Sequence, residues 1–121
     1  MVSILVVDDS RFVRLSIMKM LRAGGFDIVG EAEDGLIAIE KYKALKPDLV
    51  IMDIMMPNMD GIDAIKKIRE LDPNSKIIVC SSLHQTEVIK EATIAGALRF
   101  IFKPFEMNSL VQNVSEVLKQ S

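Results

Sequence analysis

Acidic side chains follow two apolar runs of the sequence, at the point where each run ends. Asp8 and Asp9 come directly after Val2–Val7, and Asp53 comes directly after Leu49–Met52. Short apolar runs of this kind predict buried β-strands. If the strand ends meet, the carboxylates repel one another, because two like charges about 5 Å apart cost about 3 kcal/mol at an effective dielectric near 20. Acids grouped in this way indicate a cation site.

A hydroxyl group and an ammonium group follow two further apolar runs. Ser81 follows Lys76–Cys80, and Lys103 follows Leu98–Phe102 and precedes Pro104. Taken alone, each polar residue has a plain explanation, such as a helix cap, a turn or a solvated lysine. Their joint occurrence at successive strand ends favours one site, in which carboxylates hold Mg²⁺, or Mn²⁺ in its place, and the lysine adds a second positive charge.

Five strand-like runs, each followed by a helical pattern, must position these residues. The remaining strand is predicted at Phe26–Ala32, and helices are predicted over 10–23, 34–45, 60–71, 86–95 and from 108 onward. Ser10, Asp34 and Asn108 are predicted N-caps, and Asp60 or Gly61 opens the third helix. Strands joined by helical crossovers run parallel, with helices on both faces, which predicts a three-layer α/β sandwich. Ligands of such open sheets bind beyond the carboxyl ends of the strands, where the polar residues lie.

Length and composition narrow the class of protein. The 121 residues, half of them hydrophobic, suit one domain over residues 1–121. A net charge of −2 with dispersed cations argues against direct binding to nucleic acid. The longest uncharged apolar run lies near Ile77–Cys80 and is too short to span a membrane. Because Cys80 is the only cysteine and no signal peptide is recognisable, we expect a cytoplasmic monomer.

Several segments together resemble the receiver domain of two-component response regulators, over essentially the whole chain. They are Val6–Ser10, Met52–Gly61, Cys80–Ser82, Ala95–Ala97 and Lys103–Phe105. The resemblance implies a flavodoxin-like (βα)₅ fold with strand order 2-1-3-4-5, which spacing alone does not show. The sequence is most similar to the single-domain, CheY-like chemotaxis type, a phosphorylation-dependent signalling protein rather than an enzyme.

The resemblance also implies roles for the acidic residues. Asp53 is the nucleophile that accepts a phosphoryl group. Asp9 binds Mg²⁺ directly, and Asp8 holds it mainly through water. The backbone carbonyl of Met55 is a further metal ligand, so its side chain is not required for that role.

Roles for the other polar residues follow in the same way. The resemblance implies that Lys103 pairs with one phosphoryl oxygen, that Ser81 and the backbone N–H of Ser82 bind others, and that the Lys103–Pro104 peptide is cis. Phe100 occupies the place of a switch aromatic, whose ring moves inward when the Ser81 hydroxyl turns toward the phosphoryl group. His84, the only histidine, is interpreted as a solvated residue near a helix start.

Partners are implied as well. The phosphodonor is a histidine kinase, and a downstream protein binds a face formed by the fourth helix, fifth strand and fifth helix. The residues projected onto this face are Gln85, Val88, Ile89, Ala92, Phe100, Glu106, Val111 and Gln112. Met55 and Leu83 are apolar where the family gates the hydrolytic water, which predicts slow self-dephosphorylation or a separate phosphatase.

Three other interpretations stay open at this point. The chain could be a receiver domain from a longer regulator, such as a transcription factor. An Mg²⁺-dependent phosphatase of the haloacid-dehalogenase type also uses an aspartate nucleophile, but it places Asp-x-Asp after the first strand. A flavodoxin-like nucleotide binder needs a phosphate loop after the first strand, where this sequence has Asp8 and Asp9 instead.

Overall fold

Five strands alternate with five helices in a computed structural model that describes residues 1–119. The strands are β1 (Ser3–Val7), β2 (Asp27–Ala32), β3 (Leu49–Met52), β4 (Ile77–Ser81) and β5 (Arg99–Phe102). The helices are α1 (Arg11–Ala23), α2 (Gly35–Leu45), α3 (Gly61–Leu71), α4 (Thr86–Ala95) and α5 (Met107–Lys119). Every predicted element is present. Within residues 1–119, no helix is long and apolar enough to cross a bilayer.

All strand pairs are parallel, and the sheet order is β2-β1-β3-β4-β5. This confirms the predicted flavodoxin-like order 2-1-3-4-5. The three central strands are buried on both faces, since every residue of β3 and β4 is buried and only the first residue of β1 is half-buried. Burial on both faces explains why their sequences are continuously apolar rather than alternating.

Helices cover the two faces of the sheet in separate layers. On one face, α2, α3 and α4 pack on Leu5, Val7 and the residues level with them in β3 and β4. On the other face, α1 and α5 pack on Ile4, Val6 and their neighbours. Because successive residues of a strand point to opposite faces, each central strand contributes to both cores. The two cores fix the central strands, and with them the strand ends that carry the polar residues.

Side-chain caps begin three of the helices close to the strand ends. Ser10, Asp34 and Asp60 each accept a hydrogen bond from the backbone N–H three residues later, at 3.2, 2.9 and 2.9 Å. This confirms the predicted caps at Ser10 and Asp34, and it shows that Asp60 caps the helix that begins at Gly61. The predicted cap at Asn108 is wrong. The first helical bond of α5 runs from the N–H of Leu110 to the carbonyl of Glu106 at 3.2 Å, which places Asn108 inside the first turn.

Candidate functional site

Three acidic residues meet at the carboxyl edge of the sheet. One carboxylate oxygen from each of Asp8, Asp9 and Asp53 lies within 4.8 Å of the others. Asp8 and Asp53 are buried, at 1% and 7% exposure, whereas Asp9 is exposed. Since β1 and β3 are neighbours in the sheet, their ends bring the acids together as the sequence pattern predicts.

Lys103 reaches the same cluster from the end of β5. Its ammonium group donates a hydrogen bond to Oδ2 of Asp8 and lies 3.5 Å from Oδ1 of Asp53. The backbone N–H of Lys103 donates to the carbonyl of Ser81 at 2.9 Å, and the Lys103–Pro104 peptide is cis, as expected. The lysine is therefore the positive charge that the structure places between two of the acids.

Burial and charge shift the pKa values of the groups in this cluster. Burial, with the charge of Asp8 added, raises the pKa of Asp53 from 3.8 to about 6, although Lys103 opposes the shift. Burial alone would lower the pKa of Lys103, but its hydrogen bond to Asp8 and the charge of Asp53 outweigh burial and raise it. One ammonium group thus compensates three carboxylates only in part, and a further cation would stabilise the ionised cluster.

The donor set fits Mg²⁺. Carboxylate oxygens are hard ligands, and two ligands of one Mg²⁺ ion are at most about 4.2 Å apart, because each bond is about 2.1 Å long. The oxygens of the three acids lie within 4.8 Å of one another, which is compatible with an ion bound directly by some of them and through water by another. Met55 is 63% exposed, and no N–H group within residues 1–119 donates to its carbonyl, so that oxygen is available as a ligand.

A loop with fixed geometry connects β3 to α3 and carries that carbonyl. Asn58 adopts the left-handed conformation, with φ of 67°, and its amide donates to Oδ2 of Asp34 at 2.7 Å. The N–H of Gly35 donates to the carbonyl of Met59 at 3.0 Å. The loop is therefore docked on the start of α2, a pairing that the sequence analysis did not predict.

Gly61 packs directly against the backbone carbonyl of Asp53. A Cβ atom at Gly61 would lie 1.9 Å from the carbonyl oxygen of Asp53, so only glycine fits there. The N–H of Gly61 also donates to the carbonyl of Ile54 at 2.8 Å. From the sequence, Gly61 is a possible helix start and the last residue of the segment Met52–Gly61, and its position eight residues after Asp53 was the only available signal of this contact.

Ser81 lies at the end of β4 with its hydroxyl turned toward the following loop. It is 1% exposed, and its Oγ accepts a hydrogen bond from the N–H of Leu83 at 3.1 Å. Phe100 is half-buried and packs against the core under α2, α3 and α4. The structure thus places both residues of the predicted switch in the part of the sheet formed by β4 and β5.

An aromatic chain extends from Phe100 to the loop after β4. The ring of Phe100 is tilted against that of Phe102, with centroids 5.3 Å apart, and Phe102 is stacked on His84 at 4.3 Å and 8°. His84 is exposed and lies just before α4, as interpreted, and Phe102 in addition covers one face of its ring. No sequence signal connects positions 84 and 102.

The projected output face needs one correction. Ala92 is fully buried and belongs to the core, so it does not contribute to a protein-binding surface. Val88 is half-buried against the same core. Of the remaining residues, Gln85, Glu106 and Gln112 are exposed, and Ile89 and Val111 are half-buried.

Comparisons with known proteins agree on one family. Residues 4–115 match the response regulator receiver domain. The chain is 49% identical over 116 residues to the chemotaxis protein CheY of Thermotoga maritima, covering 96% of this chain and 97% of that protein. It is 46% identical over 115 residues to CheY of Bacillus subtilis, covering 95% and 96%.

A solved structure shows the same architecture. A chain of the CheX–CheY–BeF₃–Mg²⁺ complex from Borrelia burgdorferi is similar to this chain with a TM-score of 0.95 and 36% identity. The similarity covers 98% of this chain and 90% of that chain. The fold and the near-complete coverage therefore agree with the sequence comparisons.

Proposed function

The chain belongs to the response regulator receiver domain family, whose members are phosphorylation-dependent signalling switches, and on this premise we propose that Asp53 accepts a phosphoryl group in an Mg²⁺-dependent reaction. The supporting observation is the meeting of Asp8, Asp9 and Asp53 at one sheet edge, with the ammonium group of Lys103 against two of them. A carboxylate attacks phosphorus well only where positive charge neutralises the phosphoryl oxygens.

The two oxygens of Asp53 differ in their surroundings. Oδ1 accepts a hydrogen bond from the N–H of Ile54 at 2.9 Å and lies near Lys103, whereas Oδ2 accepts none from residues 1–119. We assign the attack to Oδ2. The new oxygen–phosphorus bond forms as the donor's nitrogen–phosphorus bond breaks, and the histidine of the partner kinase leaves with that electron pair.

The other residues of the site bind and neutralise the negative charge of the phosphoryl group. Lys103 pairs with one phosphoryl oxygen, and the hydroxyl of Ser81 with the N–H of Ser82 binds others. Mg²⁺ would be held by Asp9 and Asp53, by Asp8 through water and by the carbonyl of Met55, and it supplies neutralisation of the phosphoryl charge. The position of Lys103 beside both Asp8 and Asp53 supports its assignment.

Phosphorylation would act on a pre-existing equilibrium between two conformations. Two charge-assisted hydrogen bonds to the phosphoryl group contribute about 3–6 kcal/mol, close to the roughly 5.5 kcal/mol that shifts a 1:99 equilibrium to 99:1. When Ser81 turns toward the phosphoryl group, its hydroxyl leaves the N–H of Leu83. The loop and the ring of Phe100 then rearrange together.

Fluorine NMR of protein labelled with fluorophenylalanine tests this switch. Adding BeF₃⁻ and Mg²⁺, which imitate the phosphoryl group on a carboxylate, should shift the Phe100 signal in wild type and less in Ser81→Ala. Phe26, a half-buried residue that packs in the opposite core, is an internal control. An identical Phe100 response in both proteins would contradict the proposed coupling.

We propose that the protein works as a CheY-like regulator of chemotaxis type in the cytoplasm. Its phosphodonor is a histidine kinase, and its target binds the α4–β5–α5 face. The relatives named above, which match along nearly their whole length, support this type. A separate phosphatase is a further expected partner, because neither Met55 nor Leu83 offers a hydrogen bond to a hydrolytic water.

The kinase would approach along a groove that opens beside the site. Phe12, which is 81% exposed, and Phe105 line it together with Lys103, Pro104 and Ser82. This groove combines the exposed ring of Phe12 with Lys103, which is a residue of the site. Apolar contact there would position the donor in front of Asp53.

Intact mass spectrometry after incubation with acetyl phosphate and Mg²⁺ tests the central proposal. Wild type should gain one phosphoryl group, and chelation of Mg²⁺ or Asp53→Asn should abolish the gain. An equal gain in Asp53→Asn would contradict the assignment. Continuous release of phosphate without an adduct would favour a phosphatase instead.

A further inference from the structure

Asp8 is held at every hydrogen-bonding group that it has. Its N–H donates to the carbonyl of Ala32 at 3.0 Å, Oδ1 accepts from the N–H of Ser10 at 2.9 Å, and Oδ2 pairs with Lys103. The remaining group is its backbone carbonyl, which accepts a hydrogen bond from the guanidinium of Arg14 at 2.7 Å. Arg14 has no place in the sequence-derived site or in the phosphoryl chemistry described above.

The carbonyl that Arg14 binds belongs to the peptide unit that joins Asp8 to Asp9. This unit is planar, so fixing its carbonyl also fixes the direction in which the next residue continues. A change in its orientation would turn both carboxylates relative to each other. A single hydrogen bond to this oxygen can therefore control the geometry of two proposed metal ligands.

Arg14 is itself anchored on the neighbouring strand. Its Nε donates to Oε1 of Glu31 at 2.7 Å, and its side chain is only 11% exposed. Glu31 precedes Ala32 in β2, the residue that accepts from the N–H of Asp8. The edge strand β2 thus holds two backbone groups of Asp8: its N–H directly, and its carbonyl through the guanidinium of Arg14.

We propose that Arg14, oriented by Glu31, is a positioning residue that sets the affinity of the acidic cluster for Mg²⁺. The inference rests on the proposed function, because it takes the cluster to be the metal site. The guanidinium suits this task because it donates in two directions from one rigid plane, which an ammonium group does not.

Charge and geometry predict opposite effects of removing the guanidinium. A positive charge near the cluster, acting only by repulsion, weakens Mg²⁺ binding, so its loss would tighten the binding. A positioning residue does the reverse. Arg14→Lys keeps the charge but not the planar guanidinium, whereas Arg14→Gln removes the charge and shortens the side chain so that it no longer reaches both acceptors. Together the two variants separate the two effects.

The experiment is a titration of the unphosphorylated protein with Mg²⁺, followed by amide NMR. We expect the dissociation constant to rise about tenfold in Arg14→Gln and in Arg14→Lys, the usual loss for a group that orients metal ligands. Glu31→Gln, which keeps a neutral acceptor for Arg14, should raise it about threefold. The matched control is Arg99→Gln, because Arg99 forms a similar ion pair with Glu116 at 2.9 Å and should leave the constant unchanged.

A second readout separates positioning from a general effect on the fold. The slower phosphorylation of Arg14→Lys by acetyl phosphate should recover at saturating Mg²⁺, since only the affinity is altered. Unchanged or tighter Mg²⁺ binding in Arg14→Gln and Arg14→Lys would overturn the inference. If Arg14→Gln does not fold, Arg14→Lys and Glu31→Gln decide. Failure of wild type itself to bind Mg²⁺ or gain a phosphoryl group would instead contradict the proposed function.

Discussion

Two groups of acidic residues, one at each edge of the parallel sheet, have opposite surroundings. At the amino edge, Asp48 accepts hydrogen bonds from the N–H and hydroxyl of Ser3 at 2.8 and 3.1 Å. Asp72 accepts from the phenol of Tyr42 at 2.8 Å. Each of these carboxylates faces a neutral donor that satisfies it, so this edge contributes to stability.

At the carboxyl edge the acids face one another. Asp8, Asp9 and Asp53 lie together, but Lys103 contacts only Asp8 and Asp53. Burial and the charge of Asp8 raise the pKa of Asp53 to about 6. In the absence of a cation this arrangement opposes folding, whereas the amino edge supports it. The acids at the amino edge therefore stabilise the fold. The three acids at the carboxyl edge need additional positive charge, and that is the edge at which function is proposed.

The largest expected effect comes from the backbone contact beneath Asp53. Gly61→Ala places a methyl group where the carbonyl of Asp53 lies, so the loop or the helix must move, and we expect a loss of about 3 kcal/mol or more in the free energy of unfolding. Urea denaturation measures it. The matched control at the amino edge is Gly25→Ala, where φ is 90° but no atom lies within 4 Å, and the cost should be only about 1–2 kcal/mol. An equal loss of unfolding free energy in the two variants would contradict the tight packing of Gly61 against Asp53.

The next effect has the opposite sign. Without Mg²⁺ at neutral pH, Asp53→Asn should raise the free energy of unfolding by about 1–3 kcal/mol, because a pKa of about 6 instead of 3.8 corresponds to a penalty of at most about 3 kcal/mol for the ionised carboxyl. The raised pKa means that wild type loses this stability as the pH rises from about 4 through about 6, and the variant does not.

The isosteric change at the other edge is the control. Asp48→Asn removes a carboxylate that faces neutral donors, so it should lower the free energy of unfolding or leave it unchanged. If Asp53→Asn and Asp48→Asn shifted stability in the same direction, the two edges would not differ as described.

A smaller effect is expected from the hydrogen bond between α2 and the end of α3. Tyr42→Phe keeps the buried ring but removes the donor to Asp72, which should lower the free energy of unfolding by about 1 kcal/mol. Thermal unfolding measures this change. Mg²⁺ binding should be unaffected, and a weakened affinity would show that the edges are coupled.

The smallest effect concerns the lifetime of the phosphoryl group. Met55→Asn offers a hydrogen bond to a hydrolytic water, and we expect the acyl phosphate to decay about threefold faster, which corresponds to about 0.7 kcal/mol. Leu71→Asn changes a similarly exposed apolar side chain at the amino edge and should leave the decay rate as in wild type. An unchanged rate in Met55→Asn would reject the role given to this position.

The strand ends were the most predictable part of the molecule. Apolar runs that stop at Asp8, Asp53, Ser81 and Lys103 predict both the parallel sheet and the edge at which these residues meet. The strand order came from the resemblance alone, because spacing does not say which strands are neighbours. The N-caps at Ser10 and Asp34 are local signals, and they are confirmed.

Contacts between distant segments were not predictable in this way. The guanidinium of Arg14 on the carbonyl of Asp8 depends on the angle between α1 and β1, which no local pattern encodes. The stack of His84 on Phe102 joins the loop after β4 to the last residue of β5, which only the folded sheet brings together. Ala92 is small and lies on the buried side of α4, so a projection by position alone placed it wrongly on the surface.

The most direct test of the central claim locates the phosphoryl group on the chain. Borohydride reduces an aspartyl phosphate to homoserine, and peptide mass spectrometry then identifies the residue that carried it. After phosphorylation with acetyl phosphate and Mg²⁺, we expect homoserine at position 53 and no conversion when Mg²⁺ is chelated. Conversion at Asp8 or Asp9 instead, or a stable phosphate on Ser81 or His84, would contradict it.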